Sequence, residues 1–168
     1  GQVVLQVASA VPDCKLCFGV EKETKLGALA KELDTEFQGL LGDSRRAPVE
    51  LLCEDMLTSE RVRHVVSEAD VIFVNNKAFG ASLDRAIVEQ LLVFLKPGAK
   101  VVSFVKFIAG GGRTRASSSG DDAWLRVTET REKADAVSWT ANPIPWYIHT
   151  VEHQVKNRVA VKSEPPDL

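Results

Sequence analysis

The sequence predicts an α/β fold with a mostly parallel sheet, closed by a C-terminal antiparallel hairpin. Three observations carry that prediction. Short β-branched runs alternate with stretches of helical apolar spacing up to about residue 105, the pattern of strands joined by crossover helices. Within Ala69–Gly80, ADVIFVNNKAFG, the compact run Val71–Val74 reads as a strand buried on both faces of a sheet. Two later runs, Trp124–Thr130 and Ile144–Val151, read as an antiparallel pair.

Gly1–Val11 is expected to be a well-buried helix, because Val3, Val4, Leu5 and Val7 make it apolar nearly all round. Cys14–Glu21 reads as a strand ending in an acid. Thr24–Leu41 has Leu26, Leu29, Leu33, Phe37 and Leu40 at helical spacing, with Gly42 as its stop. Val49–Asp55 is a second strand ending in acids. Ser59–Val66 is a short helix, capped by Thr58, with Val62, Val65 and Val66 facing inward. After the Val71–Val74 strand, Leu83–Leu95 is a helix presenting Leu83, Ile87, Leu91 and Phe94, stopped by Lys96-Pro97-Gly98. Ala99–Val105 is the next strand. Ala109–Asp122 is Gly/Ser-rich and reads as a mobile loop. Val137–Thr140 falls on the segment connecting the two final strands, and 155–168 is expected to be a disordered polar tail behind a domain at 1–154.

Composition narrows the classes of function. The chain has 168 residues, 45% of them hydrophobic, which suits one globular domain. A formal net charge of −2 gives no global attraction to nucleic acid or to an anionic membrane. There is no run of eighteen apolar residues and no charged-then-apolar leader, so no membrane partner is expected. Three cysteines cannot all pair. Cys14 and Cys17 form a C-x-x-C, but three residues apart on a strand they would face opposite sides, so reduced, packed thiols are expected and no metal. His149 and His153 alternate on a strand and read as structural or surface residues.

The chemistry concentrates at strand ends. Asn75 and Asn76 stand at the carboxyl end of the buried run, where α/β sheets carry their sites, with Phe79 close behind. Glu21 lies twenty positions after Gly1, the interval at which a carboxylate grips the two ribose hydroxyls of a nucleoside. Asp55 ends the next strand, where it could accept from an exocyclic adenine amine. The alternative for either acid is a solvated strand end.

Several motifs carry a family resemblance over roughly Gly1–Val151. GQVVLQVA at Gly1–Ala8, GVEK at Gly19–Lys22, VIFVNN-x-AFG at Val71–Gly80, and VSWT at Val137–Thr140 with the following W-Y-x-H-T resemble the disruptor of telomeric silencing family. Its members are nuclear, S-adenosylmethionine-dependent enzymes that methylate a lysine in the globular core of histone H3 on the nucleosome. They use a class I, Rossmann-like seven-strand methyltransferase fold rather than a SET domain.

The resemblance implies roles for particular positions. Gly1 would be the last glycine of the cofactor loop, and Gln2 a cofactor contact. Glu21 would hold the ribose hydroxyls, Asp55 the adenine amine, and Met56 would flank the adenine where the family has an aromatic. Asn75 would sit at the transfer site and Phe79 beside the cofactor. Trp139 and Trp146 would wall the channel for the substrate lysine, against ordinary burial as the alternative. At Trp146 the family usually has Tyr, and Lys77 replaces its usual Phe. Methyl transfer to a neutral amine needs orientation and a dry path more than a general base, and an aromatic channel disfavours the ammonium form.

The same resemblance implies that the first strand of the sheet, with the first glycines of the cofactor loop, would precede Gly1. That strand would sit between those ending at Glu21 and Asn75, and without it both lose a shared neighbour. The chain therefore reads as a fragment, with contacts to nucleosomal DNA made by segments outside it. Lys106, Arg113 and Arg115 form only a small cluster, read as solvated. Two rivals remain: another class I methyltransferase acting on a small molecule or nucleic acid, and a non-catalytic module that kept the fold.

Overall fold

The computed structural model describes residues 1–41, 46–108, 124–133 and 142–154, with the backbone alone at 129–133. In chain order the elements are α1 (Gln2–Ala10), β1 (Cys17–Glu21), α2 (Thr24–Leu41), β2 (Val49–Cys53), α3 (Glu60–Glu68), β3 (Val71–Val74), α4 (Ala81–Gln90), a single 3-10 turn (Leu92–Phe94), β4 (Lys100–Ser103), β5 (Leu125–Lys133) and β6 (Ile144–Val151). They fall into two compact units, Gly1–Val65 and Val66–Leu168. The predicted α/β alternation and the final hairpin are both present.

In the first unit β1 and β2 pair in parallel, Cys17 against Val49 through Glu21 against Cys53. Residues 17, 19 and 21 share one face with 49, 51 and 53, and both α1 and α2 lie on it. Ala8 of α1 packs with Cys17, Ala47 and Val49, and a Cβ on Gly19 would come within 2.8 Å of Val4 Cγ2. On the opposite face Glu50 receives both Arg61 Nε (3.0 Å) and Arg61 Nη2 (2.6 Å).

Three expectations for this unit need correction. The helix at residues 1–11 is not buried all round: Leu5 and Ala8 are buried while Val3, Val7 and Val11 are exposed, since β1, β2 and α2 meet only one of its sides. The leucine stripe of α2 is not its inner face, with Leu26 52% and Leu29 49% exposed. The helix instead turns Gly27 and Ala30 inward, with Asp34 and Phe37 half-buried in line. Small residues are required there because a Cβ on Gly27 would lie 2.7 Å from Cys53 Sγ. Gly42 lies outside the described residues. Finally, the strand begins at Cys17 rather than Cys14, which sits in the preceding turn. The two thiols are therefore neighbours rather than opposed; burial first, then Cys14, pushes the Cys17 thiol up to about 11.

The helix α3 spans the boundary between the units. Its cap is Ser59 rather than Thr58: Ser59 Oγ accepts the Val62 N–H at 3.3 Å, satisfying one of the free amides of the first turn. Val62 and Val66 are buried as expected.

The second unit is a four-stranded sheet in the order β3-β4-β6-β5. The β3–β4 pair is parallel, with Val74 opposite Ser103. The β4–β6 and β6–β5 pairs are antiparallel, with an irregularity in β5 between Val127 and Glu129. The expected two-sided burial of Val71–Val74 does not hold: Val74 is buried but Val71 is 64% and Phe73 41% exposed. Among the described residues β3 pairs only with β4, so it is an edge strand with one face uncovered. The predicted helix over residues 83–95 divides into α4 and the 3-10 turn, yet Ile87, Val88, Leu91, Leu92 and Leu95 are buried. The Lys96-Pro97-Gly98 stop stands, with Gly98 at φ +85° donating its N–H to Val151 O at 2.8 Å. The second and fourth strands end at Cys53 and Ser103, short of the predicted Asp55 and Val105, and β5 runs on to Lys133. The predicted loop at 109–122, connector at 137–140 and tail at 155–168 lie outside the described residues.

Candidate functional site

The first-unit positions that the sequence singled out gather at one edge of its sheet. Val4 lies over Gly19 while Ala8 packs on Cys17, so α1 runs antiparallel to β1. Gly1 and Gln2, at the start of α1, therefore stand toward the carboxyl end of β1, where Glu21 sits. A Cβ on Gly1 would be 2.9 Å from Ala30 Cβ, so only glycine lets this end of the chain lie so close to α2. Asp55 and Met56 follow the adjacent strand end, both half-buried.

The carboxylates here are fixed but retain acceptor capacity. Glu21 Oε1 accepts the Glu23 N–H at 2.9 Å, which leaves its second oxygen. Asp55 Oδ2 takes Lys22 Nζ at 2.7 Å and Oδ1 takes the Leu57 N–H at 2.9 Å. The Lys22 ammonium, with the Leu57 amide behind it, holds the Asp55 carboxyl below the usual carboxylate range. The edge thus offers carboxylate acceptors beside the amide end of a helix, suited to a ligand with hydroxyl and amine donors.

In the second unit Val74, Ser103 and Tyr147 lie in one row across β3, β4 and β6. Asn75 and Trp146 each stand one residue beyond that row, on the same carboxyl edge. Two strand spacings, about 10 Å, separate their backbones. Asn75 is exposed, Trp146 and Phe79 are half-buried, and the Phe79 N–H donates to Asn76 O at 3.1 Å. Trp139 lies outside the described residues.

Two residues that the sequence singled out without this role hold the edge together: Asn76, and His149, read there as structural or surface. Asn76 is fully buried. Its Oδ1 accepts the N–H groups of Phe104 (3.1 Å) and Val105 (2.9 Å). Its Nδ2 donates to Asp84 Oδ1 (3.1 Å) and Val105 O (3.0 Å). These bonds end β4 at Ser103, before the predicted Val105. His149, also fully buried, accepts the Phe107 N–H on Nε2 at 3.0 Å, so Nδ1 carries the proton and donates to Val101 O at 3.1 Å. Burial, helped by the charge of Lys106, holds its imidazole below the ordinary histidine range. The Asn-Asn doublet was the available signal for Asn76; for His149 it was the histidine in an otherwise apolar strand. Among the described residues no group of three or more His, Cys, Asp or Glu could hold a metal ion, and no helix is long and apolar enough to cross a membrane.

The family model described as "Histone methylation protein DOT1" matches residues 1–151. Similar curated proteins carry the name "Histone-lysine N-methyltransferase, H3 lysine-79 specific". The Drosophila melanogaster protein is 32% identical over 161 residues, covering 94% of this chain and 8% of the relative. The Debaryomyces hansenii protein is 36% identical over 145 residues (83% and 12%). The Candida albicans protein is 33% identical over 168 residues (98% and 12%). The chain belongs to the histone methylation protein DOT1 family and spans about a tenth of the length of these relatives.

Proposed function

We propose that the protein to which this chain belongs methylates a lysine in the globular core of histone H3 on the nucleosome, using S-adenosylmethionine, in the nucleus. The carrying observation is the family match over residues 1–151, with relatives named for that activity. The parallel β1–β2 pair of the first unit and the β3-β4-β6-β5 sheet of the second, each with its helices, are compatible with a class I methyltransferase fold. Contacts with nucleosomal DNA are assigned to segments outside this chain.

The residues present fit the cofactor by their acceptor chemistry. Glu21 would accept from the ribose hydroxyls and Asp55 from the adenine amine. Gly1 and Gln2 would face it from the start of α1, Met56 would lie against the adenine, and Phe79 would pack beside it. When bound, S-adenosylmethionine supplies an electrophilic methyl group. Asn75 would orient the lysine amine without adding charge, and Trp146 and Trp139 would wall the lysine channel and exclude water. Deprotonation is favoured when the ammonium leaves bulk water for an apolar wall.

The test is a radiolabelled methyl-transfer assay of the full-length protein on nucleosomes, free histones, tail peptides, DNA and RNA. Label in nucleosomal H3, with peptides unlabelled, is expected. Label in nucleic acid would point to another class I methyltransferase. Cofactor binding with no label anywhere would point to a non-catalytic module.

A further inference from the structure

We infer that Asn76 is a positioning residue that sets the direction of Asn75, a role that rests on the reading of Asn75 as the transfer-site amide. The backbone gives the first reason. The Asn76 N–H donates to Val74 O at 2.9 Å, which closes a three-residue γ-turn with Asn75 at its apex. A side chain at such an apex points where the two flanking residues aim it. One flank, Val74, is fixed in the sheet opposite Ser103. The other flank is Asn76, whose direction depends on its own side chain.

That side chain is saturated. A primary amide has two donor hydrogens and an oxygen with two lone pairs. Asn76 is 0% exposed and spends all four capacities, on Phe104 N–H, Val105 N–H, Val105 O and Asp84 Oδ1. It ties three segments together: its own at the exit of β3, the exit of β4 and the first turn of α4. Ser103 Oγ donates to the same Val105 carbonyl at 2.8 Å, and the Phe107 amide, two residues on, is held by His149. The segment 104–107 is thereby anchored from β3 and from β6, and Asn76 is the link that carries that rigidity to the apex. A buried, fully satisfied amide tolerates no other orientation without leaving a polar group unpaired.

The test uses the full-length protein. Asn76→Asp keeps volume and both acceptor bonds but turns an oxygen toward Asp84 Oδ1 and Val105 O. Turnover on nucleosomes is expected to fall about 100-fold, the cost of a misdirected reacting group. The KM for nucleosomes and the stoichiometry and affinity of cofactor binding should stay near wild type, which a loss of folded protein would not allow. Adding Asp84→Asn restores a donor to that pair and should regain about tenfold of the loss, in line with one charge-assisted hydrogen bond. If Asn76→Asp loses cofactor stoichiometry, Asp84→Ala decides: removing one of the four bonds should lower kcat about 3- to 10-fold with cofactor affinity unchanged. Wild-type kcat in whichever of these variants retains full stoichiometry would overturn the inference. Asn75→Ala is the control. If it keeps turnover, the reading of Asn75 falls and this role with it; if it is inactive while the Asn76 and Asp84 variants match wild type, this inference alone falls.

Discussion

His149 makes the second unit sensitive to acid. Its Nε2 lone pair is occupied by the Phe107 N–H, so a proton there would face a donor in a fully buried site. The folded-state pKa lies below the ordinary value near 6.5, with burial as the main cause. The unfolded chain therefore takes up the proton first. No penalty exists above about pH 6.5, and stability falls as the pH drops from there through the folded value. Thermal melts of the full-length protein between about pH 7 and 5 should show this slope, and His149→Gln should flatten it; an unchanged slope would contradict the assignment. At the other edge, Glu21→Ala should weaken cofactor binding by about 1.5–3 kcal/mol, the size of a hydrogen bond to a charged group. Titration calorimetry showing unchanged affinity would remove Glu21 from the cofactor site. Residue chemistry of this kind was half legible in the sequence. Acids and amides at strand ends could be picked out, but the division of labour within Asn75-Asn76 could not. It depends on Phe104, Val105 and Asp84 arriving from elsewhere in the chain.

At the scale of elements, α2 and α3 show what periodicity conveys and what it omits. The spacing of α2 identified a helix with the observed bounds but the wrong inner face. Leucines at 26, 29 and 33 make a good apolar stripe, whereas the contact with the sheet demands the closest approach, and Gly27 and Ala30 supply it. Hydrophobic pattern rewards large side chains and is blind to a helix docked through small ones. Gly27→Ala should destabilise the full-length protein by about 1–3 kcal/mol, the range for overpacking. Adding Cys53→Ala should recover part of that, because Cys53 Sγ is the atom met first. Additive losses in chemical denaturation would show that the two do not touch. Ser59→Ala should cost about 1 kcal/mol through the lost cap of α3, against no comparable effect for Thr58→Ala.

At the scale of the whole molecule, the described strands form a two-stranded and a four-stranded sheet. A two-stranded sheet is marginal by itself, and β1 and β3 each pair on one side only among the described residues. Exposed Val71, Phe73, Leu26 and Leu29 leave apolar surface in water. The isolated 168 residues should melt broadly and bind a hydrophobic dye, while the full-length protein melts sharply; a sharp cooperative melt of the 168 residues would contradict this. The alternation of strands and helices was legible because it is local. The edge position of β3 was legible only through the family resemblance, because its apolar run looks the same whether or not a neighbour covers it.

The central claim is that Asn75 serves methyl transfer to nucleosomal H3. The most direct measurement compares full-length wild type with Asn75→Ala, following methyl label in H3 on nucleosomes and cofactor affinity by calorimetry. Label in the H3 core is expected to disappear while cofactor affinity stays within about threefold, because the amide orients the amine rather than holding the cofactor. Undiminished label in the Asn75→Ala protein would contradict it.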